Sequence, residues 1–177
     1  MKKLLYILVF ISSSTLFSQE TSYRGLVLEY LELNGTTQQY QGAIDQLFGL
    51  LKQQFKSQNV GDAVWNELQS DAQPALQQIK AMLVSAYRGT YEKGDVENLL
   101  AFYKTGTGRQ LVIDQTAMTE TQKQEAASFF NTETGQKVIS LQADISKSVS
   151  EVSEIWSRDL YRGMIDKLES KGFTLQQ

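Results

Sequence analysis

The strongest constraint in this chain is the spacing of its apolar residues. Beyond the first eighteen positions they recur every three or four residues almost throughout, and few stretches show the period of two that a half-buried strand requires. That pattern predicts an all-α fold: a single-domain irregular helical bundle with a long C-terminal helix. Tyr40, Ile44, Leu47, Phe48, Leu51 and Phe55 fall on one stripe of a helix of about 18 residues. Leu26, Tyr30 and Leu33 mark a shorter helix before it, ended by Asn34-Gly35, with Thr36 or Thr37 as the next cap. Val64, Trp65, Leu68 and Ala72 lead to Pro74, where a kink or a restarted helix is expected, reaching about Tyr91. Gly94 is read as its stop and Asp95 as the cap of the next helix. From Val138 to Leu168 the repeat predicts one long helix, or two nearly collinear ones, as a spine for the shorter helices. Gly172 ends it, leaving 173–177 as a frayed tail.

Residues 1–18 read differently. Lys2-Lys3, the apolar run Leu4 to Ile11, and Ser12-Ser13-Ser14-Thr15 form the three-part pattern of a secretory signal peptide, with cleavage near Ser18. The run is too short to cross a bilayer, so the mature protein, with its helical domain over 19–172, is expected to be periplasmic or secreted, with no transmembrane segment after cleavage. Cleavage removes two Lys and no acid from 17 basic and 20 acidic residues, leaving a net charge of −5 and no general attraction to nucleic acid. The chain has no Cys and no His. A disulfide framework, a Cys nucleophile, a Ser-His-Asp triad and thiolate or imidazole metal sites are therefore outside its own chemistry. No catalytic residue, cofactor or metal site is assigned.

An internal repeat carries most of the remaining information. Residues 99–112 resemble 126–139 at a displacement of 27: Phe102 matches Phe129, Tyr103 Phe130, Thr105 Thr132, Thr107 Thr134 and Gly108 Gly135. The pattern describes a duplicated helix-turn-helix unit, in which an aromatic pair closes one helix and Thr105 or Thr132 caps the next. A repeated glycine in a helical first turn costs roughly 1 kcal/mol relative to Ala, so it implies that another backbone or a ring packs closely against it, with an aromatic residue of the other copy as the favoured neighbour. A sharper reading makes each cap an anion site, with Arg109 or Lys137 supplying charge. The segment lacks the Gly-Lys-Ser/Thr ending and the preceding strand of a phosphate loop.

Tyr87 and Tyr91, the Gly94-Asp95 turn, the helix ending Leu100-Ala101-Phe102-Tyr103 and the following Thr105-Gly106-Thr107-Gly108-Arg109-Gln110, behind an export signal, resemble the bacterial domain of unknown function 2059 family over roughly 79–141. Members commonly show Phe-Tyr followed by Ser-Pro-x-Gly; here Thr105-Gly106 and Thr132-Glu133 stand in place of Ser-Pro. The resemblance implies a structural role for Phe102, Tyr103, Thr105, Gly108, Phe129, Phe130, Thr132 and Gly135, and no activity to transfer.

Weaker signals complete the reading. Glu29 with Glu32, Glu120 with Glu125, and Glu151 with Glu154 place carboxylates close together, as acid-base pairs or oxygen-ligand sites would. Tyr87, Tyr91, Phe102, Tyr103, Phe129, Phe130 and Trp156 form an expected aromatic wall, either core or the lining of a groove for an envelope protein, a peptide or an apolar ligand. Arg158, Arg162, Lys167 and Lys171 are expected on a solvated face. The favoured function is an exported, soluble binding module of the cell envelope. The alternatives are a carboxylate-dependent envelope hydrolase and a structural homo-oligomer built through the C-terminal helix.

Overall fold

A computed structural model of the chain describes residues 22–175; the stretch 1–18 read above as a signal peptide, with 19–21 and 176–177, lies outside them. Among the described residues there are eight α-helices and no strand: α1 (Tyr23–Leu33), α2 (Thr36–Gln54), α3 (Asp62–Arg88), α4 (Lys93–Tyr103), α5 (Gly106–Ile113), α6 (Glu120–Phe130), α7 (Glu133–Ser140) and α8 (Gln142–Ser170). The fold is all-α, as the apolar period predicts.

The two longest helices, α3 and α8, form the antiparallel backbone of the molecule. Trp65, Leu68, Leu76 and Leu83 of α3 and Trp156, Met164 and Leu168 of α8 are buried in one core with Ile44, Phe48 and Leu51 of α2. The Trp156 Nε1–H donates to the Ala75 carbonyl at 2.8 Å, and Tyr40 of α2 packs edge-on against its ring at 5.2 Å. Near the other end of the pair, Lys167 reaches Glu67 and Asp71, and Lys171 reaches Glu67 at 2.7 Å. Two of the four cations assigned to a solvated face thus clamp α8 to α3. Their ammonium groups hold the Glu67 carboxyl down to about 2.

Pro74 does not restart the helix: α3 runs through it. Pro74 and Ser70, whose carbonyl loses its helical partner, are both exposed, so water can satisfy that carbonyl. The buried residues on both sides of Pro74 continue one face, and that packing holds the helix whole.

Other boundaries also differ from the sequence reading. Gly35, at φ 83°, takes the cap position of α2, and Thr36 is its first helical residue, bonded through its N–H to Asn34 Oδ1 at 3.0 Å. Helix α3 ends at Arg88, while Gly94 lies inside the first turn of α4; Asp95 serves that turn from its third position by accepting the Glu92 N–H at 2.9 Å. The expected 138–168 helix is divided at Leu141 into α7 and α8. The C-terminus is tied down rather than frayed at Phe173 and Thr174. Gly172 (φ 90°) closes a Schellman turn in which the Phe173 N–H reaches the Leu168 carbonyl, and the Gln58 amide bonds both backbone groups of Thr174.

Helix α1 runs parallel to α4. The Tyr23 hydroxyl donates to the Tyr91 carbonyl at 3.0 Å, Tyr30 meets Tyr103 edge-on at 5.5 Å, and Glu29 pairs with Lys104 at 2.7 Å.

Two measurements check this account. A Cβ on Gly163, in the middle of α8, would meet nothing within 4 Å, so Gly163→Ala is expected to raise unfolding stability by roughly 1 kcal/mol in urea titrations. The depressed Glu67 pKa means its stabilising contribution is complete above its ordinary value of 4.5 and is lost as pH falls toward 2. Glu67→Gln should flatten that part of the acid-unfolding profile.

Candidate functional site

The repeat is a matched pair of corners. In the first, the Thr105 hydroxyl accepts the Gly108 N–H at 2.9 Å and donates to the Phe102 carbonyl at 2.7 Å. In the second, Thr132 accepts from Gly135 at 3.2 Å and donates to the Phe129 carbonyl at 2.7 Å. Each hydroxyl locks the start of one helix onto the end of the helix before it.

That lock explains the two glycines and corrects the identity of their neighbour. A Cβ on Gly108 would lie 2.6 Å from Tyr103 Cα, and one on Gly135 would lie 2.5 Å from Phe130 Cα. The close neighbour is therefore the backbone of the preceding helix in the same copy, not a ring of the other. Backbone cannot move aside as a side chain can, so only glycine fits.

The copies meet through equivalent residues. Phe102 and Phe129 stack with centroids 4.1 Å apart and planes 7° from parallel. Asn98 Nδ2 donates to Thr134 Oγ1 at 2.9 Å, and Thr107 Oγ1 donates to the Glu125 carboxylate. Position 125 is position 98 displaced by 27, and 134 is 107 displaced likewise, so the second bond is the first with the copies exchanged. This reciprocity is the internal counterpart of an isologous dimer contact. Among the described residues Thr107 and Thr134 are the buried polar side chains, at 4% and 5% exposure, and each bond satisfies one of them. The sequence alignment shows both threonines but not their partners, because Asn and Glu do not look like equivalents.

The expected aromatic wall exists in altered form. Rings run without a break from Tyr91 through Tyr87, Tyr30, Tyr103 and Phe102 to Phe129 and Phe130. Tyr30 is the missing link, and Trp156 lies outside the series, against Tyr40. Tyr87, Tyr91 and Phe102 are buried, while Tyr103, Phe129 and Phe130 are half-buried, so most of the wall is core. Burial raises the phenol pKa of Tyr30, Tyr87, Tyr91 and Tyr103, keeping these hydroxyls neutral at physiological pH.

The groups of the anion reading are not assembled. Arg109 donates to the Lys104 carbonyl, and Lys137 pairs with Asp95 at 2.5 Å. Glu133 lines the shallow groove over the stacked rings beside both cap threonines, where it would repel an anion. Two of the three carboxylate pairs are engaged, Glu29 with Lys104, Glu32 with Lys80, Glu120 with Lys123 and Glu125 with Thr107, while Glu151 and Glu154 lie exposed on α8. No group of three or more acids among the described residues is placed to hold a metal ion.

An open feature lies elsewhere. A groove of about 720 Å³ runs beside the contact of the α1–α2 turn with the end of α5, with Leu33, Asn34 and Gln38 on one side and Tyr103, Leu111 and Ile113 on the other. Ile113 is 77% exposed. Neither the turn nor α5 pointed to this groove in the sequence; the unusual signal was the apolar run Leu111-Val112-Ile113, too long for one face of a helix.

Residues 77–126 match the family model described as "Uncharacterized protein conserved in bacteria (DUF2059)". The matched stretch is 50 of the 177 residues, less than a third of the chain. It holds the end of α3, all of α4 and α5, and most of α6. The DUF2059 match stops at Ala126, where the second copy of the repeat begins, so the resemblance expected as far as 141 extends beyond the matched residues. No curated protein and no solved structure matches the chain.

Gly108→Ala and Gly135→Ala should each lower stability by about 1–3 kcal/mol or more, the opposite sign to Gly163→Ala, with urea unfolding as the check.

Proposed function

We propose that this chain is an exported, non-catalytic interaction module of the bacterial cell envelope, whose groove beside the α1–α2 turn and α5 receives an apolar, uncharged segment of a partner protein. The observation that carries the reading is Ile113, an apolar side chain left in solvent at the edge of a groove, next to the partly covered Val112. The polar lining narrows the partner's chemistry. Glu32 is paired with Lys80, and the Arg109 guanidinium is turned onto a backbone carbonyl, so both ionic groups of the lining are already held by contacts within the fold. Gln38 and Gln39 supply neutral donors and acceptors of the kind that bond a peptide backbone.

Export is supported by the Lys2-Lys3 and Leu4 to Ile11 pattern. No helix among the described residues is long and apolar enough to cross a membrane. A non-catalytic role is supported by the neutral phenols and by the engagement of two of the three carboxylate pairs. Self-association through the apolar seam of α8 is disfavoured, because that seam is spent on α3.

The test uses the mature protein, Ile113→Asp and Ile155→Asp as parallel baits in envelope extracts. Ile155 is also exposed, at 44%, but lies on α8. A partner retained by the mature protein and Ile155→Asp and weakened about tenfold or more by Ile113→Asp supports the reading. Retention that is the same on all three baits overturns it.

A further inference from the structure

The α1–α2 turn contains Asn34-Gly35, the one asparagine that precedes glycine; Asn59, Asn66, Asn98 and Asn131 precede bulkier residues. We propose that Asn34 is a modification site: a deamidation centre that the folded turn keeps shut and that becomes a carboxylate on the groove's edge when the turn opens. In the reaction the Gly35 backbone nitrogen attacks Asn34 Cγ. A C–N bond forms, the Gly35 N–H proton is given up, and the side-chain nitrogen leaves as ammonia. Water then opens the cyclic imide at either carbonyl, giving aspartate or its backbone-lengthened isomer. Water is the only co-reactant, and no redox change occurs. The absence of a side chain on Gly35 leaves the attacking nitrogen unhindered.

The fold opposes each part of this motion. Asn34 has φ −87° and ψ 5°, whereas ring closure requires the Gly35 nitrogen to swing round toward Asn34 Cβ. The Asn34 N–H is held by the Tyr30 carbonyl at 2.9 Å, and its Oδ1 by the Thr36 N–H at 3.0 Å. The side chain also lies against the phenols of Tyr30 and Tyr87, lowering their pKa values against the larger effect of burial. These contacts must be released before attack, so the conversion rate reports how often the turn opens.

The product changes the turn chemically. A carboxylate at position 34 would stand beside Glu32 and between two buried phenols, on the rim of a groove whose one acid, Glu32, is paired with Lys80. The isomer would also insert a methylene into the backbone next to Gly35, whose φ of 83° sets the direction of α2. This inference stands whether or not the groove has an occupant.

The mature protein is incubated at mildly alkaline pH, with and without denaturing urea, and conversion is read as the amide-to-acid mass change in the peptide containing Asn34. Conversion at least about tenfold slower in the folded protein than in urea is expected. Equal rates in the two conditions, or no conversion in urea, would overturn the proposal. Thr36→Pro removes the N–H that anchors Oδ1 at a position where helices accept proline. It should raise the rate without urea, and a rate as low as that of the unsubstituted protein would remove the anchor from the argument.

Discussion

The architecture around the repeat depends on backbone meeting backbone at two helix corners. At Gly108 and Gly135 the first turn of a helix lies directly on the last residues of the helix before it, and the cap threonines hold that contact from the side. Because the contact involves main chain, its geometry has little freedom, and both corners adopt the same form. Two identical corners can then face each other, which brings Phe102 onto Phe129 and lets the Asn98–Thr134 and Thr107–Glu125 bonds close reciprocally. Each polar bond satisfies a group that burial would otherwise penalise.

The copies are alike inside and different outside. On α4, Val96, Leu99, Leu100 and Tyr103 form a face that α1 covers. The equivalent positions on α6 are Lys123, Ala126, Ala127 and Phe130; Lys123 and Ala127 are exposed, and among the described residues no helix packs over them as extensively as α1 packs over α4. The sequence has followed the environment. Apolar bulk is kept where a neighbour packs, and small or charged residues replace it where water does. The family match, which ends at Ala126, takes in the covered copy and stops as the uncovered one begins.

Helix class, the α2 stripe, the cap threonines and the doubled corner were legible in the sequence because each is a local pattern. The misreadings share a cause. Pro74 predicted a break on local grounds, but apolar residues on one face carried α3 through it. Gly94 looked like a stop, yet it sits in a first turn whose cap comes from Glu92 and Asp95. The close neighbour of Gly108 was sought in the other copy, whereas a sharp corner supplies it a few residues away. Tyr30 and the α5 groove depend on where α1 lies against α4, which residue spacing does not encode.

The pairing of α3 with α8 also governs when the molecule can become itself. Trp156 finds Ala75 across 81 positions, and Thr174 finds Gln58 across 116. Early helices and the repeat can form from nearby residues, but the side of α3 that α8 covers stays bare until α8 has been made. The pairing is therefore timed by the synthesis of α8 rather than by that of α3.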